Sequence, residues 1–122
     1  MEVEQKSGRV FDLKDRTFSY AKDVRSFLSK LKSNQSNFED KKQLIRSSGS
    51  VAANYIEANE ALGTKDFSMR LKISRKEAKE SVLWLRLMRD ESTVILHQEI
   101  DRLIQEGTEL VRILSSIIQK FK

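Results

Sequence analysis

Seven of the eight basic residues between Lys65 and Arg89 fall into one pattern. Lys65, Lys72, Lys79 and Arg86 recur at intervals of seven, with Arg75, Lys76 and Arg89 beside them. On a helix, seven residues is close to two turns, so these side chains would stack into a basic ridge about six turns long. The chemistry open to such a ridge is electrostatic. It would neutralise phosphates of RNA or DNA, and each contact would add to the salt dependence of binding. The competing reading is a solvated helix face with local ion pairs, since Glu77 and Glu80 fall within the same stretch.

Little else points to covalent, redox or metal chemistry. The absence of cysteine removes thiol nucleophiles, disulfides and thiolate zinc sites together. Di-metal sites inside helical bundles use paired Glu-x-x-His motifs, whereas His97 is the one histidine here and has no glutamate three residues before it. His97 is expected at the boundary of an apolar line. Glu57 with Glu60, and Glu77 with Glu80, share helical faces, but no second ligand type accompanies either pair. The four glycines, Gly8, Gly49, Gly63 and Gly107, lie too far apart for a phosphate loop or a dinucleotide fingerprint, and no serine sits in a nucleophile elbow. The sequence predicts a non-enzymatic protein with no catalytic residue, metal or cofactor.

The elements that must carry the ridge are helices. With no proline and four glycines in 122 residues, the chain predicts an all-α class and a single domain over 1–122. Asp12 with Asp15 reads as a helix start, followed by Thr17, Ala21, Val24, Leu28 and Leu31 at alternating spacings of four and three. Ser36 and Glu39 have the spacing of a capping box for a second helix. That helix runs to about Leu62, where Gly63 would take a left-handed C′ position and Thr64 would cap the third. Helix three carries Phe67, Leu71, Ser74, Ala78, Val82, Leu85 and Met88 on one face. In helix four Leu96, Ile100, Leu103, Gly107, Leu110, Leu114, Ile117 and Phe121 keep the four-three rhythm, with Gly107 leaving its slot unfilled. The expected helices span about 12–32, 37–62, 65–90 and 93–121, in an up-down-up-down antiparallel four-helix bundle. Met1 to Lys14 is too charged for a signal peptide, and no segment approaches the ~20 apolar residues of a membrane span, so a cytoplasmic protein without membrane contact is expected.

Two features reach beyond one bundle's own core. Leu83, Trp84, Leu85, Leu87 and Met88 nearly encircle helix three, although a lone bundle buries one stripe of each helix. The small residues between Arg46 and Asn54 permit close helix approach, either within the chain or between subunits. Charge is uneven as well: from Lys41 to Ser92 eleven basic residues face seven acidic ones, which accounts for most of the net +5.

The strings Gln43-Leu-Ile-Arg46-Ser, Ser50-Val-Ala-Ala-Asn54-Tyr-Ile-Glu57-Ala, Lys65-Asp66-Phe67 and Trp84-Leu85 resemble the signature of the four-helix-bundle proteins encoded in 23S ribosomal RNA intervening sequences. The resemblance covers about half of the chain directly. It implies a homo-oligomer that closes into a five-membered ring, with Arg46, Asn54 and Glu57 as polar motif positions contacting neighbouring helices or subunits, and Leu83, Trp84 and Leu87 at interfaces. A more distant likeness, to the accessory variability proteins of diversity-generating retroelements, implies association with nucleic acid and a reverse transcriptase-like partner, by analogy of fold alone. The combined expectation is a ring-forming bundle that binds structured RNA or DNA, or a nucleic-acid enzyme, through the basic face of helix three. The alternative is a scaffold with no affinity for nucleic acid.

Overall fold

Apolar residues at helical spacing leave the chain one economical arrangement, and the computed structural model, which describes residues 2–4 and 10–121, adopts it. Four helices, α1 (Leu13–Lys30), α2 (Phe38–Asn59), α3 (Thr64–Met88) and α4 (His97–Lys120), pack as a bundle. Cross-helix pairs fix the directions. Arg25 meets Ser48 while Lys41 reaches Leu31; Ser47 meets Ser81 while Asn54 meets Arg70; Arg89 meets Asp101 while Arg75 meets Ser115. Each successive pair is therefore antiparallel. Arg16–Glu106 at 2.7 Å and Lys30–Glu99 at 3.0 Å clasp α1 to α4 and close the circuit. One addition precedes the bundle: β1 (Glu2–Glu4) pairs antiparallel with β2 (Val10–Asp12), Val3 opposite Phe11, and β2 runs straight into α1. Met1 and residues 5–9 of the charged N-terminal stretch lie outside the described residues.

The core follows the periodic stripes. Thr17, Ala21, Val24 and Leu28 of α1, Leu71, Ser74, Ala78, Leu85 and Met88 of α3, and Ile100, Leu103, Gly107, Leu110, Leu114 and Ile117 of α4 are buried. Gly107 has a steric reason. A Cβ there would stand 2.7 Å from the Tyr20 hydroxyl and 2.7 Å from Cγ2 of Val82, so its empty slot is filled by side chains from α1 and α3. At the far end of the bundle Phe67 and Phe121 pack edge to face, with ring centroids 5.1 Å apart.

The helix termini differ from the sequence expectation at three places. Asp12 does cap α1, accepting from the Lys14 amide at 2.9 Å. Ser36 and Glu39 do not form a capping box. The Asn34 carboxamide instead accepts from the Ser36 and Asn37 amides and from the Ser36 hydroxyl, an Asx turn that uses up the serine locally. Nor does Gly63 take a left-handed C′ position. α2 ends at Asn59, and Gly63 is extended at φ −171°, serving as the residue before α3 with its carbonyl accepting from the Phe67 amide. Before α4 the segment Glu91–Leu96 winds as a 3-10 helix, opened by a capping box between Asp90 and Thr93, so the α-helix proper starts at His97. The Thr93 hydroxyl bonds the Met88 carbonyl at 2.7 Å, which turns the chain out of α3 before α4 begins.

Candidate nucleic-acid interface

Helix α3 is 25 residues long, and its two flanks meet different neighbours. Stepping ~100° per residue from the buried stripe, one flank carries Arg70, Glu77 and Glu80 towards α2, and the other carries Arg75, Val82 and Arg89 towards α4. Tertiary packing therefore divides the seven cations of the expected ridge into two groups.

Three are engaged. Arg89 makes a bidentate pair with Asp101, at 2.6 and 3.1 Å. That hydrogen bonding raises the Arg89 pKa and holds the Asp101 carboxyl below its ordinary range. Arg75 is half-buried and donates to the Ser115 hydroxyl at 3.3 Å. Lys76 stays exposed with one distant carboxylate, Glu77 at 3.9 Å. The other four, Lys65, Lys72, Lys79 and Arg86, are exposed and make no ion pair with any described residue. Lys72, Lys79 and Arg86 follow the outer edge of α3 on its α4 side, while Lys65, five turns from Leu83, shares that residue's azimuth near the middle of the outer face. The apolar residues of the outer face, Met69, Ile73, Leu83 and Leu87, lie at or towards the α2 side; Leu83 is 48% and Leu87 54% exposed. Trp84 is half-buried among them, packed on the core, with its indole N–H lacking an acceptor among the described residues.

Glu77 and Glu80, two acids of the same stretch, face α2 and not the open row of Lys65, Lys72, Lys79 and Arg86. The Glu77 side chain is only 7% exposed, and Arg46 of α2 reaches it at 3.2 Å and Glu80 at 3.0 Å. Hydrogen bonding to Glu77, then its charge, raises the Arg46 pKa. This cluster begins a polar seam between α2 and α3. Ser47 and Ser81 share a hydroxyl contact at 2.8 Å, the Ser74 hydroxyl donates to the Val51 carbonyl at 2.8 Å, and Arg70 donates to Asn54 at 3.4 Å. Asn54 also donates to the Ser50 carbonyl and hydroxyl. Arg46 and Asn54 thus contact the neighbouring helix and fix its height against α2, whereas Glu57 is exposed and has no ion pair among the described residues. The burial of Glu77 and the Arg70–Asn54 contact went unpredicted. A carboxylate on the same face as Ser74, Ala78 and Ser81 was the available signal, and it becomes informative only once Arg46 is known to stand opposite.

The remaining candidates for chemistry stay apart. His97 opens α4 and its Nε2 lies 2.7 Å from the Asp90 carbonyl, the boundary position expected of it. Among the described residues no three His, Asp or Glu side chains converge as a metal set, and no helix is long and apolar enough to cross a membrane.

Residues 10–116 match the family model described as 23S rRNA-intervening sequence protein. A crystal structure of a protein of unknown function from the S23 ribosomal protein family of Bacteroides thetaiotaomicron superposes with a TM-score of 0.77 at 32% identity, covering 87% of this chain and 94% of that one. No curated protein matches.

Proposed function

The chain belongs to the 23S rRNA-intervening sequence protein family, and from that premise we propose that it is a non-enzymatic, self-associating bundle whose outer α3 edge binds structured nucleic acid. The observation that carries this reading is the row Lys65, Lys72, Lys79 and Arg86, exposed and without ion pairs among the described residues. Glu77 and Glu80, acids of the same stretch of α3, are already held by Arg46 on the opposite flank. Such a row presents charge to a polyanion with no internal salt bridge to break first. The family's name ties its members to 23S rRNA, which makes RNA the first ligand to test.

Self-association uses the other half of the same face. Met69, Leu83 and Leu87 beside half-buried Trp84 form an apolar strip that a subunit contact would cover, leaving the basic edge towards α4 in solvent. The assembly is a closed homo-oligomeric ring, with five members as the family resemblance implies. The test is fluorescence anisotropy with a structured RNA across a salt series, comparing the wild type with the Lys72→Glu/Lys79→Glu variant and following mass by light scattering. The expected result is steeply salt-dependent binding that the still-assembled variant loses. Absence of wild-type binding would make the protein a scaffold for a protein partner and would refute the proposal.

A further inference from the structure

We infer that the α3 edge recognises the backbone of a nucleic-acid duplex and neither unpaired bases nor base sequence, an inference that rests on the polyanion-binding reading above. Three observations carry it. The first is shape. Lys65, Lys72, Lys79 and Arg86 stand on one uninterrupted helix, at intervals of about 10.5 Å over about 32 Å from the 1.5 Å rise per residue. A rigid row of this length lies alongside a rigid rod, and a duplex offers one charge per ~1.7 Å of its axis. A single strand would have to be straightened to meet the same row.

The second is the lack of a stacking platform. Proteins that hold single strands interleave cations with exposed aromatic rings on which bases stack. The aromatic residues of α3 are Phe67 and Trp84, and both are packed against the core, with Phe67 also edge-on to Phe121. The ridge itself has none. The third is the choice of cations. Bidentate reading of guanine in the major groove is chiefly arginine work. Arg75 and Arg89 are committed to Ser115 and Asp101, leaving lysines and Arg86 on the open edge. Lysines of this kind contact phosphates as point charges and fix position without reading sequence.

The experiment uses the full chain and three labelled probes of equal length: a fully paired RNA hairpin, a DNA duplex and oligo-uridylate. The expected result is binding of a duplex at least tenfold tighter than of oligo-uridylate, indifferent to the order of bases in the stem. The log–log salt slope of the wild type should lie near −4, and Lys72→Glu/Lys79→Glu should lose duplex binding while that variant melts as the wild type does. Whichever of the RNA and DNA duplexes binds more tightly names the backbone geometry the edge fits. Oligo-uridylate binding as tight as either duplex would overturn this inference while leaving the phosphate-binding reading in place, and failure to bind all three probes would remove both.

Discussion

Replacing Gly107 with alanine sets two known magnitudes against each other. In the interior of α4, alanine is worth about 1 kcal/mol more than glycine from backbone entropy alone. Against that, the new methyl would stand 2.7 Å from the Tyr20 hydroxyl and 2.7 Å from Val82 Cγ2, with the Tyr20 ring carbon at 3.3 Å. Neither neighbour yields easily. Tyr20 is 1% exposed and held by the core, and Val82 is β-branched and stiff on its helix. Overpacking of this kind costs about 1–3 kcal/mol, so the net effect is a loss of up to about 2 kcal/mol. For a chain of this length that lowers the melting temperature by several degrees. Thermal and urea melts of Gly107→Ala, Tyr20→Phe and the double variant form the assay. Removing the hydroxyl takes away one of the two close contacts, so the alanine should cost at least about 0.5 kcal/mol less in the Tyr20→Phe background. A Gly107→Ala protein that melts higher than the wild type, or a double variant that is strictly additive, would refute the packing argument.

The polar seam gives a second test: Arg46→Ala strands the buried Glu77 carboxylate and should cost about 2 kcal/mol in urea melts, between the values of exposed and buried pairs, and a loss below 0.5 kcal/mol would deny the seam its role. Trp84→Ala removes a half-buried ring, so a loss of about 2–3 kcal/mol is expected together with a smaller mass by light scattering; unchanged mass and melting temperature would clear Trp84 of both roles. Burial, reinforced by the charge of Glu106, raises the Tyr20 phenol well above its ordinary pKa, with Ser81 a smaller opposing influence. The folded state thus holds that proton more tightly than the unfolded chain, so the stability tied to it is complete below pH ~10 and is lost as pH rises further. Melts between pH 8 and 11.5 should show Tyr20→Phe losing less stability than the wild type, and identical alkaline limbs would contradict this.

Much of the architecture could be read along the chain. The four-three spacing of Leu96, Ile100, Leu103, Gly107, Leu110, Leu114, Ile117 and Phe121 predicts a buried face; the six from Ile100 to Ile117 are buried, whereas Leu96 is half-buried and Phe121 is 42% exposed, because both flank the ends of α4. Asp12 was legible as a cap because its partner amide is two residues away. The capping box at Ser36 was not, because Asn34 offered the same amides a nearer acceptor, and two local motifs of similar strength compete there. At Gly63 the residue type matched a left-handed stop, but α2 ends at Asn59 and the glycine spans an extended link instead.

By itself the sequence determined what depends on backbone geometry over a few turns: the number of helices, the stripe each one buries, and the heptad line of Lys65, Lys72, Lys79 and Arg86. Only the tertiary structure decided how the charges are spent. Arg75 and Arg89 share the ridge's spacing, yet Ser115 and Asp101 stand at their height on α4, while Glu77 and Glu80 find Arg46 on α2. Helical periodicity places a side chain on a face. Which partner it meets depends on the neighbouring helix and its axial register, and that register is set by long-range contacts such as Ser47–Ser81 and Gly107 against Tyr20. The open basic edge of α3 is what remains after those contacts have taken their share.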